Sequence, residues 1–217
     1  MSYTLAPPPT RLRIWQQNLN KSDKVQFNLI NAPLHKDWDI FLLQEPYIDN
    51  LGNTKATSRW HVIYPSSHLA DDSACRTVIL VNAVLDTNVW AQVPLEGSND
   101  ISVLQFWLPQ GRRLMIFNVY NDCTHQNTLT VLRTFMLHHS ASMLALENDH
   151  MMWCGDFNRH HPLWDEERNS HLLTAGASSA AQPLIALLED HDMATWSCSY
   201  QRGSQCSSPY PPRTGPE

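Results

Sequence analysis

Residues Met151 to Asp165 read Met-Met-Trp-Cys-Gly-Asp-Phe-Asn-Arg-His-His-Pro-Leu-Trp-Asp, and their order decides the class of fold. Four residues suited to a buried strand, Met151 to Cys154, run into Gly155. A carboxylate (Asp156), an aromatic (Phe157), an amide (Asn158) and paired imidazoles (His160, His161) follow at once. This order puts polar chemistry at the end of a strand, where the strand fixes direction and the loop beyond leaves room for a ligand. Taken alone, Gly-Asp-x-Asn reads equally well as an Asx-type turn in which Asp156 and Asn158 bond their own backbone.

Working outward, the residues before this stretch have helical spacing. Leu129, Leu132, Phe135, Met136, Met143 and Leu146 predict a helix from Gln126 to about Asn148, with Asn127 or Thr128 as its cap. Ahead of it, Ile101 to Leu108 and Arg112 to Val119 flank Pro109-Gln110-Gly111 and predict a hairpin whose second strand runs out into Tyr120 and Asn121. Near the start, Leu12 and Ile14 alternate with bulky or charged residues up to Asn18, the period of a half-buried strand. Ser22 and Asp23 can cap a helix whose face holds Val25, Leu29 and Ile30 and which should stop near Pro33. Ile40 to Leu43 is a continuous apolar run suited to a strand covered on both faces, and Gln44, Glu45 and Pro46 follow it. Trp60 to Tyr64 and Arg76 to Asn82 read as strands. Pro183 to Leu188 reads as a short helix with proline near its start, and Met193 to Trp196 as the beginning of a further strand. Alternating strands and helices give an α/β class.

Composition narrows the function classes. A chain of 217 residues with 42% hydrophobic and 17% charged residues can bury a core in one domain, which argues against global disorder. No apolar run approaches a membrane span and no basic leader precedes an apolar segment, so secretion and membrane insertion are not expected. Cys75, Cys123, Cys154, Cys198 and Cys206 are odd in number and form no Cys-x-x-Cys pair, which suits reduced thiols in an intracellular protein and not a zinc site. The formal charge of -6 disfavours holding nucleic acid by charge alone. It does not exclude a nuclease, because carboxylates gathered for a divalent cation belong to that sum and the bound ion reverses the local sign. We expect a flexible proline-rich lead at 1–10, one domain over 11–196 and a disordered Ser/Pro-rich tail at 197–217.

The ends of the apolar stretches offer Asn18, Glu45, Tyr120, Asp156 and Asn158 in that order. The segments are Gln16-Gln17-Asn18, Leu42-Leu43-Gln44-Glu45-Pro46-Tyr47, Asn118-Val119-Tyr120, and Gly155-Asp156-Phe157-Asn158 followed by His160-His161-Pro162-Leu163-Trp164. As a set they resemble the endonuclease/exonuclease/phosphatase superfamily and, within it, the endonuclease domain of a non-LTR retrotransposon; the likeness covers residues 11–196. The resemblance implies a four-layer α/β fold, a sandwich of two mixed β-sheets with helices packed outside. It also implies metal-dependent phosphodiester hydrolysis, nicking of DNA with Mg²⁺ or Mn²⁺, and work in the nucleus if the target is chromosomal.

Hydrolysing a phosphodiester needs a positioned water, neutralised phosphoryl oxygens and a stabilised leaving oxygen, for which hard oxygen ligands and a hard cation are suited. By the resemblance, Glu45 is the metal ligand and Asp156 orients or deprotonates the water. Asn158 and Asn18 hold water, phosphate or carboxylate, and Tyr120 donates its hydroxyl to a phosphate oxygen. Arg159 and His160 are candidates for substrate contact.

The pattern has departures. Asn20 stands where some family members place a carboxylate that assists the metal. Family members also continue past the Trp196 region with a strand carrying Asp and a Ser-Asp-His segment, neither of which occurs in this sequence, so the last strands of the fold are expected to be missing. Two alternatives therefore stand beside the endonuclease: a catalytically inactive remnant, and a phosphatase acting on small phosphate esters.

Overall fold

In the computed structural model, which describes residues 11–70 and 74–195, the chain opens with β1 (Ile14–Asn18), α1 (Asp23–Asn31), β2 (Ile40–Gln44), β3 (Trp60–Ile63) and β4 (Thr77–Asn82). These strands make a mixed sheet in the order β1-β2-β4-β3, with β1 parallel to β2 and the other pairs antiparallel. The chain continues through β5 (Trp90–Gln92), β6 (Ile101–Trp107), β7 (Arg113–Tyr120), α2 (Asn127–Met143) and β8 (His150–Asp156). They form a second mixed sheet, β5-β6-β7-β8, in which only β7 and β8 run parallel. The described chain divides into two compact units, one ending at Asn158 and the other beginning at Arg159. Both sheets lie in the first unit. The second holds a short turn of helix at Glu167–Leu172 and α3 (Ala175–Asp190).

The strand β2 is buried at every position because both of its faces are covered. Phe41 and Leu43 pack with Leu29 and Ile30 of α1 and with Trp60, Val78 and Leu80. Ile40 and Leu42 face the other way and pack with Ile79, Val81, Leu104, Phe106 and Ile116, the layer between the two sheets. In the second sheet, the Phe117 ring meets Phe135 of α2 at 5.9 Å and Trp153 of β8 at 6.2 Å, both edge to face.

Toward one end, the layer between the sheets turns polar. Gln44 continues the Ile40 and Leu42 face, and its side-chain amide donates to Asn118 Oδ1. Asn118 in turn donates through Nδ2 to the backbone carbonyls of Leu43 and Val78, each at 3.0 Å. Thr77 and Ser102 share a hydroxyl hydrogen bond of 2.9 Å alongside. A buried amide is tolerated only when its donors and acceptor are met, as they are at Asn118. The polar end of the seam lies where β1, β2, β7 and β8 finish.

Several boundaries differ from the sequence expectation for local reasons. Ser22 caps α1, accepting from the Val25 N–H, while Asp23 is the first helical residue. Val25 points to solvent and Gln26 takes the buried place, where Nε2 donates to Thr54 Oγ1 and the Lys55 carbonyl and Oε1 accepts from the Tyr47 N–H. A buried polar residue inside an apolar stripe is invisible to hydrophobic periodicity. Neither Asn127 nor Thr128 caps α2; Gln126 precedes it without a side-chain cap, and Thr128 Oγ1 donates instead to Asp100. That helix ends at Met143, leaving Leu146 exposed. The strand β5, three residues long, is too short to leave a periodic signal.

In the second unit, α3 begins at Ala175, eight positions before Pro183, because Thr174 caps it and the Ala-rich segment ahead of the proline favours helix. Met193 to Thr195 form no strand, and Trp196 lies outside the described residues, as do the lead at 1–10 and the tail at 197–217. Among the described residues β8 pairs only with β7 and no strand follows it. Its side chains are accordingly half-exposed rather than buried.

Candidate active site

The sites of interest collect where the paired parallel strands end. Asn18 closes β1, and its Nδ2 donates to Asp156 Oδ2 at 2.8 Å, joining the end of the first sheet to the end of the second. Its Oδ1 accepts the Asn20 N–H at 2.8 Å. Asn20 and Lys21 then take left-handed φ values of 48° and 56° before Ser22 opens α1, so the chain turns back beside β2.

Glu45 also sits at positive φ, 44°, a conformation uncommon outside glycine and asparagine and found preferentially at functional sites. Its backbone is held on both sides, with its N–H on the Arg76 carbonyl and its own carbonyl accepting the Lys21 N–H, each at 2.8 Å. The carboxylate is only 15% exposed and accepts no hydrogen bond from the described residues; its nearest cation is Lys21 Nζ at 3.8 Å.

Asp156 is the opposite case. Besides Asn18 on Oδ2, the Asn158 N–H donates to Oδ1 at 3.1 Å. The loop beyond is locked to β7: the Asn121 N–H donates to the Asp156 carbonyl, Asn121 Nδ2 to the Phe157 carbonyl, and Asn158 Nδ2 to the Asn121 carbonyl, all at 2.8 Å. Asn158 itself is left-handed, φ 49°. The Asx turn expected of Gly-Asp-Phe-Asn is present, and together with Asn18 it fixes the Asp156 carboxylate. Gly155 is required by close approach: at φ 146°, a Cβ there would stand 1.9 Å from the Val119 carbonyl oxygen.

Tyr120 ends β7 opposite Asp156 in the parallel register. Burial pushes its phenol up from the ordinary value, and the charges of Glu45, Asp122 and Asp156 push the same way while Arg76 opposes them. The hydroxyl therefore stays protonated at neutral pH. Sequence reading missed what holds the ring. The Arg76 guanidinium lies over it, 4.9 Å from the centroid, and is itself fixed by two hydrogen bonds of 2.6 Å to Asp100 and one of 2.7 Å to Asp122. The arginine and its paired carboxylates come from three different loops, and only the charge of each residue type hinted at them.

Of the expected site residues, Asn18, Glu45, Tyr120, Asp156 and Asn158 converge in the first unit. Arg159 and His160 belong to the second. Arg159 is buried, and its carbonyl accepts the Trp164 indole N–H at 2.7 Å. His160 Nδ1 pairs with Asp165 Oδ1 at 3.3 Å, and the same carboxylate accepts the His161 N–H. The paired histidines thus organise their own loop around Asp165.

No group of three or more His, Cys, Asp or Glu is gathered as a metal cage among the described residues. Glu45 fits a different kind of site: a half-buried carboxylate without a hydrogen-bond donor is an unspent hard-oxygen ligand. Mg²⁺ commonly binds through one or two carboxylates, retaining water and substrate phosphate as its other ligands.

Residues 114–210 match the family model described as endonuclease-reverse transcriptase. Among solved structures, the endonuclease domain of TRAS1, a telomere-specific non-LTR retrotransposon, aligns with a TM-score of 0.52 and 17% identity, covering 80% of this chain and 71% of that one. The chain has the endonuclease/exonuclease/phosphatase fold. The Xenopus laevis APE2 catalytic domain aligns on the same fold with a TM-score of 0.51 and 14% identity, covering 81% of this chain and 67% of that domain. No curated protein sequence matches the chain. The two mixed sheets with flanking helices are those the family resemblance implied, and within the endonuclease/exonuclease/phosphatase fold the strand ends named above form the candidate site.

Proposed function

We propose that this chain is a divalent-cation-dependent nuclease domain that hydrolyses phosphodiester bonds in DNA, of the kind found with reverse transcriptases. The observation that carries the reading is the contrast between two carboxylates at equivalent strand ends: among the described residues, Asp156 is fixed by two N–H donors and Glu45 accepts from none. The family match over residues 114–210 and the shared fold support it.

Glu45 would hold Mg²⁺ or Mn²⁺, which on binding supplies charge neutralisation at the phosphoryl and leaving oxygens. Asp156, oriented by Asn18 and Asn158, would accept a proton from the attacking water. Tyr120 offers a protonated hydroxyl to a phosphate oxygen, steadied by the Arg76 guanidinium on its ring. The test is incubation with supercoiled plasmid in Mg²⁺ or Mn²⁺, with and without EDTA, beside a chromogenic phosphomonoester. Conversion of plasmid to the open circle, abolished by EDTA, is the expected result. Turnover of the monoester alone would replace the nuclease with a phosphatase.

A further inference from the structure

The whole sequence contains four lysines, at 21, 24, 36 and 55, in a chain of formal charge -6. Two of the four line one cleft, and a third lies near Glu45. Lys21 approaches Glu45, Lys24 follows it on the exposed face of α1, and Lys24 and Lys55 line a cleft of about 380 Å³ together with Asp23, Phe27 and Asn28. Phe27 is 57% exposed. The Lys55 ammonium rests over the Tyr47 ring, 4.8 Å from its centroid, and Tyr47 stands two residues after Glu45.

The cleft is tied to the candidate metal ligand by the buried Gln26, which hydrogen-bonds the Tyr47 N–H on one side and Thr54 and the Lys55 carbonyl on the other. Through Gln26 the segments carrying Tyr47 and Lys55 are held against α1, which carries Lys24 and Phe27. The arginines offer no such surface at Arg13, Arg76 and Arg113, each committed to an aspartate. Asp23 is the one carboxylate among the cleft residues, and its Oδ1 accepts the Lys24 N–H at the helix start.

An exposed ring in a cleft that two lysines also line offers a base a stacking face and its phosphates two cations. Within a duplex both faces of a base are already covered by its neighbours, so the free face of Phe27 suits an unpaired nucleotide. We propose that this cleft seats a single nucleic-acid strand leaving the cleavage site, with an unpaired base stacked on Phe27 and flanking phosphates on Lys24 and Lys55. The proposal rests on the nuclease reading for the direction of the strand, and on the cleft alone for its chemistry.

The experiment measures fluorescence anisotropy of a labelled oligothymidylate, and of the same strand in a blunt duplex, in EDTA so that binding is read without turnover. Phe27→Ala should weaken oligothymidylate binding about tenfold while Phe27→Trp restores it, because an exposed ring contributes stacking and not folding. Duplex binding should change far less. Lys24→Gln and Lys55→Gln should each lower the slope of log affinity against log salt by about 0.7. Unchanged oligothymidylate binding in Phe27→Ala, or an equal loss for duplex and single strand, overturns the proposal. If the parent chain nicks plasmid in a separate Mg²⁺ assay, the nuclease reading survives that failure. If the parent chain nicks nothing yet loses oligothymidylate binding in Phe27→Ala, the cleft stands and the nuclease reading falls.

Discussion

The two sheets are built on one plan with different endings. In each, a parallel pair is joined through a helix, β1-α1-β2 in the first and β7-α2-β8 in the second. In each, an arginine at the start of the first strand grips an aspartate just before the second. Arg13 uses its backbone N–H and guanidinium on Asp39 and reaches the Lys36 carbonyl. Arg113 does the same with Asp149 and the Ser142 carbonyl. At the opposite end, the second strand of each pair delivers a carboxylate, Glu45 or Asp156. What separates these last two is their donors among the described residues, two N–H groups on Asp156 and none on Glu45. One topology thus supplies two carboxylates, and on the proposed function their hydrogen-bond partners would divide the labour.

The largest expected effects test that division. Asp156→Asn should lower plasmid nicking by about 10²–10⁴ while DNA binding in EDTA persists, because it removes a base and leaves the phosphate contacts. Glu45→Gln should instead show as weakened Mn²⁺ affinity in a direct titration. If the two variants lose metal affinity alike, the carboxylates share one role and the contrast fails.

Next come the clamps. The Asp149 side chain is fully buried, whereas Asp39 is 13% exposed beside an Arg13 that is 37% exposed. Asp149→Ala should cost about 3 kcal/mol in urea unfolding, because Arg113 and two backbone N–H groups lose their acceptor. Asp39→Ala should cost about 1 kcal/mol, as a more exposed pair does. Hydrogen bonds from Arg113 hold the Asp149 carboxyl down to about 2 from its ordinary 3.8. A depressed native value adds stability above the unfolded pKa, so this contribution is complete near neutrality and is lost as pH falls from about 4 to about 2. Parent and Asp149→Asn should therefore converge in melting temperature across that interval; parallel curves would remove Asp149 from the account.

The smallest effect compares the helix starts. Ser22 caps α1 through its hydroxyl, and Gln126 caps α2 with nothing. Ser22→Ala should destabilise by about 1 kcal/mol, while Gln126→Ala should change stability by less than about 0.5 kcal/mol. Equal losses in thermal melts would show that both helix ends depend on their first side chain.

Much of this arrangement was legible in the chain. Asn18, Glu45, Tyr120, Asp156 and Asn158 each follow an apolar run, and a strand's periodicity carries its last residue to a known end of a sheet. Arg76, Asp100 and Asp122 were not legible, because what unites them is the approach of three loops separated by 24 and 46 positions along the chain. Gln26 was missed for the converse reason. Its polarity argued for solvent, and only its three partners make burial tolerable. Local pattern reports where side chains point along an element and says little about which polar groups will find each other across the fold.

Asn118 carries a consequence for how the first unit opens. Its Nδ2 protons reach carbonyls on β2 and β4 while its own backbone belongs to β7. They can meet solvent only when the two sheets part. In hydrogen–deuterium exchange, fraying of the outer strands should leave these protons untouched, and their loss should keep pace with the slowest backbone amides of β2. The side chain is in effect a clock inside the sandwich, ticking only when its halves separate.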